Sequence, residues 1–379
     1  MRRGADARRL DRRCAGAALT SAARTRGARA ARELALLRLV AQGLAGDGLD
    51  SPQAAAERLL CLQAQDYWSG LASVAVRCGI GLDQVEAAFD AGSIVRAWPL
   101  RGTLHLLAAH DLPWLRELLG PRQLALASLR EERLGLDADT LERAAAVALE
   151  ALGTGPQSRA ELNRAWSAAG VDASGQRSYH LIWHLAHRGT LVLGPTRAGR
   201  HMFVRCDRWL PEAASIPRHD ALARLALRYF SGHGPATPAD LTRWANLTAA
   251  DTRRAVAASR GDLSTLTVDG TEYLLGPTTE DTLAGCRAQA QAVFALPHFD
   301  ELLLGYRDRN PTLPAERDID VFANRNGLPA RTILYRGQVI ATWSRGGRRT
   351  GAAVEVQPLV PATGAVLGRA TRKAAKIVD

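Results

Sequence analysis

Two stretches of this chain repeat one order of elements, and that order admits few folds. Residues 158–169 read as a helix, 170–175 as a glycine-bearing turn and 176–187 as a second helix. Gly189 ends that helix, and a strand over 190–193, a basic loop over 197–200 and a strand over 202–206 follow. Residues 238–245, a turn, 248–258, and strands near 263–268 and 272–275 run through the same order again. Helix, turn, helix and basic hairpin describe a winged helix, which lays a helix in the major groove of DNA while its wing grips the backbone. A repeated unit of this size reads as an array.

Upstream, order begins near Arg32, where Leu34, Leu36, Leu37, Val40 and Leu44 form a helical stripe ended by Gly46 and Gly48. Ser51-Pro52 opens a second helix, with Ser51 as N-cap, that runs to about Leu62. Helices over about 68–77 and 82–91 precede a strand, turn and strand over 94–107, and Asp111-Leu112-Pro113-Trp114 caps the next helix. The expected division is a disordered basic arm (1–31), three modules (32–132, 133–215 and 216–290) and a β-rich C-terminal segment (291–379) with a basic hairpin loop at 345–349.

The chain has 379 residues, 47% hydrophobic and 23% charged, which suits a soluble protein of several modules. It lacks a run of roughly eighteen apolar residues, so no membrane partner is expected. Its net charge is +11, almost all from arginine, since Lys373 and Lys376 are the only lysines. Arginine grips phosphate as a bidentate fork and stacks on bases, so the partner indicated is a polyanion, most simply double-stranded DNA. GC-rich coding, which favours Ala, Gly and Arg, accounts for the same excess without a partner. The five cysteines, Cys14, Cys61, Cys78, Cys206 and Cys286, form no close pair; this fits a reducing, cytoplasmic interior. The arginine-rich first thirty residues lack an apolar signal-peptide core.

Between the second and third helices lies Leu62-Gln63-Ala64-Gln65-Asp66-Tyr67-Trp68. Residues two apart diverge by about 200° on a helix but share a side on extended chain. Once the chain leaves the helix, Gln63 and Gln65 point at one place. Paired amides orient water and hydrogen-bond a polar ligand, yet are very weak bases. Chemistry here requires a substrate that is already activated. The plain alternative is that the two are capping residues at a helix end.

Three further strings run in the same order along the chain. They are Arg96-Ala97-Trp98-Pro99-Leu100-Arg101-Gly102-Thr103-Leu104-His105, then Leu296-Pro297-His298-Phe299-Asp300-Glu301-Leu302-Leu303-Leu304-Gly305-Tyr306-Arg307-Asp308-Arg309, then Gly337-Gln338-Val339-Ile340-Ala341-Thr342-Trp343. With the Gln-x-Gln segment they resemble the winged-helix DNA glycosylases of the AlkZ and YcaQ (AlkX) type, over roughly residues 32–360. The resemblance implies an α+β protein of three tandem winged-helix modules in a C-shaped arrangement, with a β-rich C-terminal segment. It implies excision of bulky N-alkylated purines and, in the AlkZ branch, unhooking of interstrand crosslinks as self-resistance to a genotoxic natural product. That branch carries Gln-x-Gln where the other carries Gln-x-Asp, so this chain is similar to the AlkZ branch; Asp66 lies one residue too late to be that Asp.

The chemistry fits the amides. Alkylation at N7 of guanine or N3 of adenine makes the base cationic, hence a good leaving group through an oxocarbenium-like state. Gln63 and Gln65 are the expected catalytic pair, holding the water and contacting sugar or adduct. Asp66, Thr103 and His105 are candidates for catalytic support, Thr103 and His105 sharing a strand face. No metal and no cofactor are expected. With no lysine in the body of the chain, hydrolysis is expected to be monofunctional, by a monomer.

Arg96 and Arg101 are candidate phosphate clamps; ion pairs with nearby acids are the alternative. Arg197 and Arg200, and Arg345, Arg348 and Arg349 on the later loop, are candidate DNA contacts. His180, His184 and His187 share a helix face, which reads as a polar surface toward DNA rather than a metal site. Asp300, Glu301 and Asp308, beside Arg307 and Arg309, read as a buried ion network holding the C-terminal segment; the alternative is a catalytic carboxylate or the orientation of a DNA-contacting loop. Trp68 and Trp98 read as core. The competing function is a non-catalytic transcription regulator, which would bind one operator and release no base; RNA binding fits winged helices less well, because their geometry suits B-form grooves.

Overall fold

The computed structural model describes residues 27–322, 328–346 and 352–378. One unit recurs three times: a helix, a short extended piece, two helices, and a hairpin whose last strand pairs with the extended piece. In the first copy these are α2 (Pro52–Leu59), β1 (Leu62–Gln63), α3 (Tyr67–Cys78), α4 (Leu82–Asp90) and the hairpin β2 (Ile94–Leu100) and β3 (Thr103–Ala108), after an opening helix α1 over 27–41. The long α5 (Leu112–Arg133) leads to the second copy: α6 (Ala138–Gly153), Gln157, α7 (Arg159–Ala168), α8 (Arg177–Arg188), β4 (Leu191–Arg197) and β5 (Arg200–Arg205). A turn of helix, α9 (Cys206–Trp209), precedes the third: α10 (Arg218–His233), Ala236, α11 (Pro238–Ala245), α12 (Ala249–Ser259), β6 (Ser264–Val268) and β7 (Thr271–Leu275).

The start of each unit's second helix is written in its sequence. Asp66, Ser158 and Thr237 each accept a backbone N–H of the first turn, and Ser158 and Thr237 form reciprocal capping boxes with Glu161 and Asp240. Ser51 likewise caps α2, with Pro52 behind it. Two boundaries differ from the sequence reading. The first helix starts at residue 27 rather than near 32, within the arm expected to be disordered. And α2 stops at Leu59, because Leu60 turns left-handed at φ 61° and ends the helix three residues early.

The first two units do not keep separate hairpins. Their strands merge into one antiparallel sheet in the order β1-β3-β2-β4-β5, joined where Arg96 pairs with Leu193. Every residue of β2 is buried, so both faces of the sheet are covered there. The third hairpin stands alone.

The C-terminal segment begins with α13 (Thr279–Ala290) and β8 (Val293–Leu296), then α14 (Glu301–Leu304) and α15 (Asp318–Phe322). Strands β9 (Arg331–Tyr335), β10 (Gln338–Arg345) and β11 (Val354–Pro358) complete a sheet ordered β11-β10-β9-β8, and α16 (Gly364–Val378), absent from the sequence reading, packs Val366, Ala370 and Ala374 onto it. The opposite face takes Leu36, Leu37 and Leu39 of α1, which binds the two ends of the chain together. Among the described residues no helix is long and apolar enough to cross a membrane.

Candidate active site

The glutamine segment lies between α2 and α3, with its apolar neighbours Leu62 and Ala64 fully buried beside Leu59, Leu71 and Leu106. Alternation then turns Gln63 and Gln65 to the other side. Gln63 is 7% exposed and Gln65 open to solvent. The Gln65 N–H donates to Gln63 Oε1 at 3.1 Å, and the Leu104 N–H donates to Gln65 Oε1 at 3.2 Å. A backbone N–H can only donate, so both amide orientations are fixed by chemistry. Each carbonyl is occupied, and neither NH2 group has a protein partner among the described residues. The pair therefore presents donors.

Comparison of the three units shows how this segment is made. Gln157 exchanges both backbone bonds with Phe203, and Ala236 does so with Leu274; the capping residue follows at once. In the first unit the Ala64 N–H donates to the Leu104 carbonyl at 2.8 Å, but the return bond from Leu104 goes to the Gln65 side chain. Gln65 is one extra residue between the paired position and the cap Asp66. Its amide stands in for the displaced backbone carbonyl, as at a β-bulge.

Arg96 supplies the rest. Its Nε donates to the Ala64 carbonyl at 2.9 Å, Nη2 to the Gln65 carbonyl at 3.1 Å, and Nη1 to His201 Nε2 at 2.9 Å. It is 6% exposed, and burial lowers its pKa to about 10. Arg96, a candidate phosphate clamp or ion-pair partner, is buried here and gives its donors to the Ala64 and Gln65 carbonyls and to His201. Arg101 also turns inward, donating to the Trp244 carbonyl, and its backbone at φ 51° forms the β2–β3 turn with Gly102. Burial lowers its pKa as well, so it too is placed as a brace.

A buried carboxylate sits on the inner side of Gln63. Glu301, fully buried, accepts the Gln63 N–H at 3.1 Å and the Trp244 indole N–H at 3.0 Å, with His233 Nε2 at 3.5 Å. Burial opposes its charge, but the His233 side chain and the Arg101 guanidinium outweigh it, so its pKa is lowered. Phe299 at φ 60° turns the chain so that Asp300 and Glu301 face different ways. Asp300 accepts Arg77 through both oxygens at 2.8 and 3.0 Å, and also the Ser73 hydroxyl. The acids thus form two sites rather than one network, since among the described residues the Asp308 carboxylate accepts only the Asn310 N–H and Arg309 reaches Asp318 and the Leu303 carbonyl. Glu301 as a direct partner of Gln63 was missed; its only signal was the Asp300-Glu301 pair inside the string Leu296–Arg309.

His105 pairs across the sheet from Gln63 but is fully buried. Its Nδ1 donates to the Thr103 carbonyl at 2.8 Å, leaving Nε2 with no partner, and burial together with Arg101 lowers its pKa to about 4. It is a neutral residue inside the sheet, not one lining an open pocket. The Thr103 hydroxyl donates to the Leu100 carbonyl within the turn. Asp66 caps α3 through one carboxylate oxygen, from the Ser69 N–H at 3.0 Å, and is partly exposed.

The histidines of α8 are also corrected. His184 bonds Glu131 of α5 at 2.8 Å and His187 stacks on Trp183 with its Nδ1 toward the Trp183 carbonyl. Both are buried and turned into the protein, while His180 is half-buried beside Tyr179. No group of three or more metal-type side chains occurs among the described residues. Arg197 and Arg200 are exposed, paired across the β4–β5 turn. Arg345 is exposed at the end of β10; Arg348 and Arg349 lie outside the described residues. Trp98 is core, but Trp68 is 54% exposed.

Residues 56–377 match the family model described as DNA glycosylase AlkZ-like. Over 311 residues the chain is 25% identical to an interstrand DNA cross-link repair glycosylase of Streptomyces sahachiroi, covering 76% of this chain and 80% of that protein. Its fold is similar to the solved structure of Streptomyces sahachiroi DNA glycosylase AlkZ, with a TM-score of 0.77 at 20% identity, over 92% of this chain and 96% of that one.

Proposed function

The chain belongs to the AlkZ-like DNA glycosylase family, and we propose that it hydrolyses the N-glycosidic bond of bulky N7-alkylguanines and N3-alkyladenines in duplex DNA. On this reading it also unhooks interstrand crosslinks, as a cytoplasmic monomer giving self-resistance to a genotoxic natural product. The thrice-repeated unit is read as three tandem winged helices. The observation that carries the proposal is the pair of amides whose carbonyls are tied to backbone N–H groups and whose NH2 groups have no partner among the described residues.

An alkylated purine is cationic and departs without protonation. What remains is to hold a water and the sugar as positive charge develops on the ring. One NH2 group would donate to the water oxygen, leaving its second lone pair free to attack the anomeric carbon, and the other would donate to a phosphate or adduct oxygen away from the ring oxygen that gains charge. Preorganised dipoles of this kind need no reorganisation as the bond breaks. Asp66, which follows Gln65 and uses one carboxylate oxygen to cap α3, would take the water's proton late in the step. Buried Glu301 places a negative charge on the inner side of Gln63, of the sign that favours an oxocarbenium-like state. Arg197, Arg200 and Arg345 would hold phosphates.

Purified protein incubated with duplex carrying an N7-alkylguanine should release the intact modified base. Strands should break only after alkali or heat, since both lysines lie in α16 and none is near the site to form a Schiff base. A chelator should leave the rate unchanged. Absence of base release from several different adducts would overturn the proposal.

A further inference from the structure

The C-terminal helix α16 carries the only lysines of the chain, Lys373 and Lys376, together with Arg369 and Arg372, and it contains no acid. Spacings of three and four residues put these cations on one side of the helix, next to the stripe of Val366, Ala370 and Ala374 buried on the sheet. Arg369 with Lys373, and Arg372 with Lys376, are like charges one helical turn apart, an arrangement that opposes the helix on its own. All are exposed, and the ion pairs among the described residues, such as Arg287–Glu33 and Arg309–Asp318, include none of them. With Val293 and Tyr335 they wall a cavity of about 450 Å³ between α16 and the sheet. Arg336, in the turn after β9, adds another cation, its guanidinium 5.2 Å from the centre of the Tyr335 ring. The cavity lies apart from the glutamine site. Val293 opens β8 opposite Tyr335, whereas the other end of β8 leads to Glu301, which holds Gln63.

We propose that this side of α16 is a further DNA contact, which grips the phosphates of one strand of the duplex to one side of the lesion. From Arg369 to Lys376 the helix rises about 10 Å, a length over which one strand of B-form DNA carries about three phosphates. Like charges gathered on one face are relieved by such a polyanion. An anionic lipid surface offers the same phosphate chemistry. A helix that lies in a membrane inserts its apolar stripe, however, and that of α16 is already buried on the sheet. The contact needs no lesion, so it holds damaged and undamaged duplex alike.

The test is a variant with Arg369→Gln, Arg372→Gln, Lys373→Gln and Lys376→Gln, all at exposed positions, so Tm should hold within a few degrees. Affinity for damaged and undamaged duplex should fall alike, by about 10-fold or more at low salt, and the slope of log affinity against log salt should shrink by about 2 to 3. Base release from saturated complexes should be unchanged. Hydroxyl-radical footprinting should show protection on one side of the lesion that the variant loses while the rest of the footprint stays. Unchanged affinity and salt slope would overturn the assignment. So would a footprint weakened evenly along its length, which would mark a general effect of net charge. Loss of binding to phosphatidylserine vesicles with duplex binding intact would overturn it in favour of a membrane.

Discussion

Gln63 and Gln65 each give their carbonyl oxygen to a backbone N–H, so what each offers a ligand is its NH2 group. Arg96 holds the segment in that state by bonding the Ala64 and Gln65 carbonyls. Arg96→Met should therefore slow base release by about 100-fold or more and cost about 2–4 kcal/mol, as buried carbonyls lose charged donors. Duplex affinity should change by less than about threefold. Single-turnover kinetics beside a binding titration checks this; a loss of affinity with an unchanged rate would restore the phosphate-clamp reading. The amide pair was legible in the sequence because two glutamines flanking one alanine share a side of any extended chain. Arg96 was not, since an arginine in a sequence states its charge but not its direction. Thr103 and His105 were placed on one strand face, but alternation alone cannot say whether that face meets solvent or another layer. Trp68 was read as core by its chemistry, but it stands 54% exposed in the first turn of α3, where Ser69 and Gly70 are the buried residues.

Among the elements, the caps were the most legible part, because Ser51-Pro52, Ser158 with Glu161 and Thr237 with Asp240 act within one turn. Leu60 defeated that local logic, since tertiary packing holds a leucine left-handed with its side chain wholly buried. The extra residue in the first unit became visible only when three copies could be laid side by side. The join between α3 and the C-terminal segment also depends on long-range contact. Arg77 and Asp300, 223 residues apart and both nearly inaccessible, form a bidentate pair. Asp300→Asn leaves a buried guanidinium without its counter-charge and should cost about 3–5 kcal/mol. Thermal unfolding would show it; a Tm within a degree of the unaltered protein would mean the pair does not hold the segment.

At the scale of the molecule, the modular order was legible from periodicity, whereas the merging of two hairpins into one five-stranded sheet was not. Strand partners are chosen by burial, and the sequence does not state which edge is covered. The whole fold also keeps three histidines neutral: His105 in β3, His187 in α8 and His201 in β5 each have a pKa lowered to about 4, burial being the largest cause. The unfolded chain, with an ordinary histidine value near 6.5, takes up protons first as pH falls. Stability from these groups is complete above about pH 6.5 and lost progressively toward pH 4. Tm measured from pH 7.5 to 4.5 should fall over that window, and a flat profile would contradict neutral burial.

The central claim is that Gln63 and Gln65 form the reacting site of a DNA glycosylase and contribute little to holding DNA. Its most direct test is base release from an N7-alkylguanine duplex by the Gln63→Ala, Gln65→Ala double variant, with affinity for the same duplex measured in parallel. The account predicts release reduced to the uncatalysed level and affinity within about fivefold of the unaltered protein. Release at the original rate would contradict it.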